Sequence, residues 1–502
     1  MTDYKKLQNG SDVRGIALEG IEGERVNLTK EIAADIAFSF ANWLSKRVNK
    51  KVNELVIGVG NDSRLSGPML KDGVISALTS LDVKVYDCGL ASTPAMFMST
   101  VLEGFKFDGS IMLTASHLPF NRNGLKFFTN NGGLESSDIR ELLADTREES
   151  YNLKSENVKS CELMKAYSEH LRNVIKNGIN SKDNYEKPLT GFNIAVDAGN
   201  GAGGFFVSDV LVPLGAETKF SRFLNPDGSF PNHIPNPENK EAMASIREAV
   251  LEGKCDLGII FDTDVDRAGA VDSEGNELSR NRFIALMAEI VAEDNPNCTI
   301  VTDSVTSSHL KTYIENRLNC KHHRFMRGYK NVINEAIRLN NEGINTPLAI
   351  ETSGHGALKE NYFLDDGAYL SAKIIIKLYK LRKEGTTITE LLSKLGEPKE
   401  AQELRLKIEL EDFRSYGKDV LEKLIEYAKT QSTWVAASDN HEGFRATVKE
   451  GDGWFLVRMS LHDPQIPINI ESDSEGGVKI IREELYKFMK QFDKLNLSAF
   501  EK

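Results

Sequence analysis

The residues richest in chemistry stand in a few short stretches. In FDTDVDRAGAVD, Asp262, Asp264 and Asp266 alternate and Arg267 follows. Three carboxylates this close repel one another unless a cation neutralises them, and hard oxygen donors suit Mg2+, Mn2+ or Ca2+. The glycine and distant glutamate of an EF-hand are missing, so a magnesium site is expected. In GSIMLTASHLPFNRNGLKFF an apolar run stops at Ser116 and His117, with Lys126 further on. Alone, Ser116 reads as a turn residue, and a neighbouring histidine does not make a triad base. Combined with a metal loop and the cations Lys126 and Arg267, it reads as a serine that can carry a phosphoryl group whose oxygen completes the metal shell.

Two further loops carry weaker signals. AIETSGHGALKENYF offers Glu351, Ser353 and His355 beside glycines that let a backbone approach a ligand, a pattern suited to the neighbouring hydroxyls of a sugar. Capping of a following helix by Ser or Glu is the equal alternative. VRMSLHDP places Arg458, Ser460 and His462 after an apolar strand, and such donors suit a phosphate. In NDSRLSG, Asp62 and Arg64 read as an ion pair within the protein.

These loops need a scaffold. Apolar runs at 55–59, 83–86, 109–113, 192–196, 257–261, 299–302 and 347–350 alternate with helical patterns and read as parallel α/β layers. One helix starts at the N-cap Thr29 and carries Ile32, Ile36, Phe40, Trp43 and Leu44 on one face, which is core. A polar helical segment is expected from Glu156 to Ile179, and a charged helix around 411–430 before β-rich sequence that reads as α+β. Three apolar strands run into chemistry-bearing loops, TASH, DTDVDR and ETSGH. In parallel sheets such strand ends bind ligands, so the three loops are expected to share a cleft.

The bulk properties narrow the classes. With 502 residues, the chain has room for three or four domains at about 100–200 residues each. The net charge of -12 argues against nonspecific nucleic-acid or anionic-membrane binding. No run reaches the ~18 apolar residues of a membrane span and no signal peptide opens the chain, so a cytoplasmic address is expected. Five cysteines without ligand-like spacing argue against a disulfide framework or a zinc site.

Together the stretches resemble the α-D-phosphohexomutase family, which includes phosphoglucomutase/phosphomannomutase. TASHLPFNRNGLK resembles its phosphoserine loop, DTDVDR its DGDxDR metal loop and ETSGH its GEMSGH sugar loop. SDVRG, VDAGNGAGG, PDGSFPNHIPNP and RGYKNV add support over nearly the whole chain. The resemblance implies four domains around a central cleft. These are a phosphoserine-bearing α/β domain at 1–156, a metal-binding α/β domain at 157–297, a sugar-binding α/β domain at 298–400 and a smaller phosphate-binding α+β domain at 401–502.

Carried over by motif, Ser116 is the phosphoserine, and Asp262, Asp264 and Asp266 bind Mg2+ with its phosphate. Arg14, His117, Lys126 and Arg267 surround the transferring group, with Lys126 and His355 as general acid and base. Lys330, Glu351 and Ser353 contact the sugar, and Arg458 and Ser460 hold the distal phosphate. The implied reaction interconverts hexose 1-phosphate and hexose 6-phosphate of glucose or mannose through a 1,6-bisphosphate, which also serves as activator, in a monomer or homodimer. Three positions depart from the family pattern: Leu118 for Asn, Thr263 for Gly, and RMSLHDPQIP where RxSGTEPxxR is usual. The alternatives are a hexose 1,6-bisphosphate synthase, a phosphoglucosamine mutase, a serine-nucleophile phosphatase and a noncatalytic sugar-phosphate-binding regulator.

Overall fold

The structure is a computed structural model and describes residues 3–460 and 463–501. The chain forms two compact units, one running to Ile290 and including Ser353–Leu391, the other formed by Val291–Thr352 with the residues from Leu392 on.

The first unit holds two sheets. In the larger, Val56–Asn61 lies between Lys84–Leu90 and Gly109–Leu113, parallel to both, as the apolar runs predict. The other face of Gly109–Leu113 pairs antiparallel with Arg122–Thr129, which pairs in turn with Asp12–Ile16. The sheet is therefore mixed rather than purely parallel. Only eight residues, 114–121, separate Leu113 from the antiparallel strand, too few for the crossover a parallel return needs. The Ser116 loop is thus the connection between two adjacent strands, and Lys126 points from the second of them.

Helix Lys30–Val48 starts at Thr29, whose side chain accepts from Ile32 N at 3.4 Å. Ile36, Phe40 and Leu44 are fully buried on the predicted face, with Phe40 4.7 Å from Phe127 of the sheet. Burial of each such side chain contributes about 1.5–3 kcal/mol. Where a helix was expected from Glu156, Val158–Ser160 instead forms a strand parallel to Lys84–Leu90, and the helix spans Leu163–Ile179. The segment's burial pattern explains this: only from Leu163 do buried Tyr167, Leu171 and Ile175 recur at helical spacing.

In the second sheet Ile194–Asp197 runs parallel to Leu257–Phe261, which turns back antiparallel into Ala268–Asp272. The turn of that hairpin is Asp262–Arg267. Gly356–Leu358 and Leu364–Asp365 form a further hairpin in this unit.

In the second unit Thr299–Asp303 lies parallel to Lys321–Phe325 and to Leu348–Ile350. Its other sheet is antiparallel, in the order Glu400–Lys407, Gln465–Ser472, Gly453–Val457, Phe444–Val448, Trp434–Ala436. Helices Phe413–Ala428 and Gly477–Met489 supply Val420, Leu424, Ile481 and Leu485 to its core. This is the α+β segment expected from the sequence. Among the described residues no helix is long and apolar enough to cross a membrane.

Candidate active site

The first unit brings together most of the residues singled out in the sequence. Ser116 is 3% exposed and has φ 51°, a left-handed conformation that costs an L-residue about 1–2 kcal/mol. Its N–H is turned to Thr114 Oγ1 at 2.9 Å, and Thr114 in turn donates to Asp62 Oδ2 at 2.6 Å. The Ser116 hydroxyl donates to Asp262 Oδ2 at 2.8 Å, and Arg267 Nη2 donates to Ser116 Oγ at 3.2 Å. The serine on one loop and the carboxylate on the other are thus joined directly.

Asp262, Asp264 and Asp266 are buried and offer carboxylate oxygens within 4.8 Å of one another. Burial, reinforced by the other two charges, pushes Asp262 well above the usual carboxylate range. Burial also opposes ionisation of Asp266, yet Lys126, His355 and Arg267 together hold it well below that range. Lys126 Nζ donates to Asp266 and, at 3.1 Å, to Asp264. Even so, Asp264 Oδ1 and Asp266 Oδ1 are buried with no hydrogen-bond donor. Leaving such oxygens unsatisfied is costly, and oxygen donors at this spacing fit a hard divalent cation. The residues present therefore suit Mg2+.

The turn that holds the triplet is tight. Val265 has φ 66°, unusual for a β-branched residue. Thr263, where the family has Gly, is fully buried, and its carbonyl accepts from Ala202 N at 2.8 Å. A Cβ at Gly201 would stand 2.6 Å from that oxygen, which accounts for glycine in VDAGNGAGG.

Two histidines have opposite electrostatics. His117 is pushed down to about 2 by burial and by Arg267 and Arg14, so it stays neutral, and its Nδ1 accepts from Arg267 Nη2. His355 is opposed by burial too, but Asp365 and Asp266 raise it to about 9. Its Nδ1 contacts Asp365 Oδ2, while Asp365 Oδ1 accepts from Gly356 N at 2.9 Å. His355 also bridges to Arg267 through the backbone. Arg14 lies on Asp12–Ile16 in register with Gly124, and its guanidinium pairs with Asp12 at 3.0 Å. Ser353, also of this unit, is buried.

Two participants were not foreseen. Asp365 lies beyond a hairpin turn from His355, and only the acidic pair in FLDDG hints at it. The helix following ETSGH is capped by Asp366, not by Ser353 or Glu351. Arg64 does form the expected ion pair, with Nε 3.4 Å from Asp62. It does more, however: its two Nη atoms donate to the carbonyls of Ser116, Leu118, Pro119 and Arg122, with 2.6 Å to Leu118, 2.8 Å to Pro119 and 2.9 Å to Arg122. A single buried guanidinium thereby fixes the backbone of the serine loop. Leu118 takes part through its carbonyl, a contact that does not depend on its side chain.

In the second unit, Glu351 Oε1 accepts from Gly328 N at 2.6 Å, at the start of helix Tyr329–Asn341, whose first turn carries Lys330. Arg458 is 5% exposed, its Nη1 3.7 Å from Glu442 and its Nε without an acceptor. Glu442 also accepts from Arg327 N at 3.0 Å and from Ser304. Ser460 Oγ accepts from Asp463 N at 3.2 Å. His462 lies outside the described residues.

A serine hydroxyl joined to a buried carboxylate triplet at the strand ends of α/β sheets, ringed by Lys and Arg, is an arrangement suited to metal-assisted phosphoryl transfer. The Phosphoglucomutase/phosphomannomutase alpha/beta/alpha domains I, II and III match residues 5–153, 165–275 and 279–397. The chain is 32% identical to the phosphoglucomutase/phosphomannomutase of Thermococcus kodakarensis, over 96% of this chain and 99% of that one. It is 28% identical to the phosphoglucomutase of Neisseria gonorrhoeae over 94% of each. The crystal structure of a phosphoglucomutase/phosphomannomutase family protein from Burkholderia thailandensis superposes with a TM-score of 0.76 at 25% identity, covering 96% of both chains. The protein belongs to the phosphoglucomutase/phosphomannomutase family of α-D-phosphohexomutases.

Proposed function

We propose that this phosphohexomutase interconverts the 1- and 6-phosphates of glucose, mannose or both, with Ser116 as the phosphate carrier and Mg2+ held by Asp262, Asp264 and Asp266. The observation that carries the reading is the hydrogen bond from Ser116 Oγ to Asp262, inside a triplet with two donor-less carboxylate oxygens. Bound there, Mg2+ supplies positive charge to the oxygens of the transferring phosphoryl group.

The chain's own residues do the rest. Arg267, donating to Ser116 Oγ, stabilises negative charge on that oxygen as its bond to phosphorus breaks. Neutral His117 keeps the guanidinium aimed there by accepting from its Nη2. His355, protonated at neutral pH, and Lys126 are the groups that give or take the proton of the sugar hydroxyl. Transfer from phospho-Ser116 to a hexose monophosphate gives the 1,6-bisphosphate, which turns around and returns its other phosphate to Ser116. The same bisphosphate acts as activator by rephosphorylating the serine.

Lys330, Glu351 and Ser353 are assigned to the sugar, Arg458 and Ser460 to the phosphate that is not reacting, and Arg14 to the transfer site. The four domains are proposed at 1–156, 157–297, 298–400 and 401–502, and the location is the cytoplasm. The test is a panel of glucose, mannose and glucosamine phosphates with Mg2+, read by product analysis together with mass measurement of the Ser116 peptide. Interconversion with a phosphorylated Ser116 is expected. Accumulation of bisphosphate would favour a synthase, and net release of phosphate would overturn the mutase reading.

A further inference from the structure

The chain has five cysteines, and four of them meet in two pairs of the same design. Cys161 immediately follows strand Val158–Ser160, which runs parallel to Lys84–Leu90 with Ser160 opposite Asp87. Its N–H donates to Asp87 O at 3.2 Å, so Cys161 comes level with Cys88, and the two Sγ atoms are 3.3 Å apart. Cys88 is the unpaired residue where the register of its strand against Val56–Asn61 shifts, and such an irregularity re-aims a side chain. Cys298 and Cys320 likewise stand just ahead of the paired positions Thr299 and Lys321, with Sγ atoms 3.5 Å apart.

Adjacent strands lie about 4.7–4.9 Å apart, inside the roughly 4.4–6.8 Å that Cα atoms span across a disulfide. With the sulfurs already in contact, side-chain rotation is the main adjustment a bond requires. What separates the pairs is access. Cys298 and Cys320 are both buried, whereas Cys88 is buried and Cys161 is half-exposed. The hydrogen bond shared with Cys88 holds the Cys161 thiol below the ordinary thiol range although burial opposes this, while Cys88 is held above it. Cys161, half-exposed and in contact with the buried Cys88 sulfur, is therefore placed to be the attacking sulfur, with Cys88 as the resolving partner.

We propose that Cys88 and Cys161 form a modification site, a reversible intramolecular disulfide made by exchange with a small-molecule disulfide such as glutathione disulfide. Cys161 thiolate attacks one sulfur of the oxidant, whose S–S bond breaks and releases one glutathione thiolate. Cys88, giving its proton to solvent, then attacks the Cys161 sulfur and expels the second glutathione thiolate. Two electrons pass from the cysteine pair to the oxidant, and dithiothreitol reverses the exchange. The bond fixes the residue two positions before helix Leu163–Ile179 to the edge of the first sheet.

The test uses the whole protein incubated with glutathione disulfide, capped with N-ethylmaleimide at intervals, digested and mapped by mass. A linked peptide pair containing Cys88 and Cys161 is expected before any Cys298–Cys320 link, with both signals lost on reduction. In Cys88→Ser, Cys161 is expected to stop at a stable mixed disulfide with glutathione; in Cys161→Ser, Cys88 is expected to remain alkylated. Persistence of that mixed disulfide in the wild type, failure of either thiol to react, or earlier closure of the Cys298–Cys320 pair overturns the proposal.

Discussion

At the Ser116 site two buried carboxylate oxygens, on Asp264 and Asp266, have no donor, whereas at Arg458 a buried guanidinium Nε has no acceptor. The first two oxygens stay unpaired even with Lys126 and Arg267 in place. At the second, burial holds Arg458 below the usual arginine range, with Glu442 at 3.7 Å as its nearest carboxylate. Each unpaired atom has the polarity that suits the group its place is proposed to receive, a metal cation in one case and a phosphate in the other. A residue at the first place is expected to govern turnover, and one at the second chiefly substrate affinity.

The widest separation comes from Ser116→Ala. Mutase activity is expected to fall on the order of 10⁴–10⁶-fold, the scale on which covalent nucleophiles act, and phosphate is expected to vanish from the peptide; near-wild-type turnover would break the assignment. Asp264→Asn comes next. A loss of about 10²–10³-fold in kcat is expected, together with loss of the rise in Tm that Mg2+ gives the wild type. A chelator should mimic it reversibly in the wild type alone.

Arg458→Ala probes the other half of the comparison. Removing one charge-assisted hydrogen bond worth about 1.5–3 kcal/mol should raise KM roughly 10–100-fold with little change in kcat. A fall in kcat with KM unchanged would erase the contrast drawn above.

The smallest effect is on pH. His355 lies at about 9 in the folded protein, above its ordinary value of about 6.5. Its contribution to stability is therefore complete below pH ~6.5 and is lost as pH rises through the folded value. Activity that uses the protonated ring should fall over the same range. In Asp365→Asn the alkaline limb is expected at lower pH, and an unmoved limb assigns it to another group.

Much of this was legible in the chain. Each of the seven apolar runs forms all or part of a strand, most of them buried on both faces. The Asp triplet and Ser116 are readable because they are fixed by spacing within one hairpin turn and one strand connection. The strand Arg122–Thr129 was hidden by its polar residues Asn123 and Lys126, both buried by tertiary partners that local pattern does not show. The same holds for Arg64. Its pairing with Asp62 follows from two neighbouring charges, but its grip on four carbonyls more than fifty residues away depends on how two loops fold together. Asp365 was missed for a similar reason, since a hairpin brings it to His355.

The left-handed backbone at Ser116 sets a conflict between durability and work. A residue with a Cβ is disfavoured at φ 51°, and glycine is not. Ser116→Gly should therefore be inactive like Ser116→Ala yet more stable than it by about 1 kcal/mol, read as a higher Tm. Selection for folding alone favours glycine at this position; the serine there marks stability given up so that one oxygen can face the carboxylates.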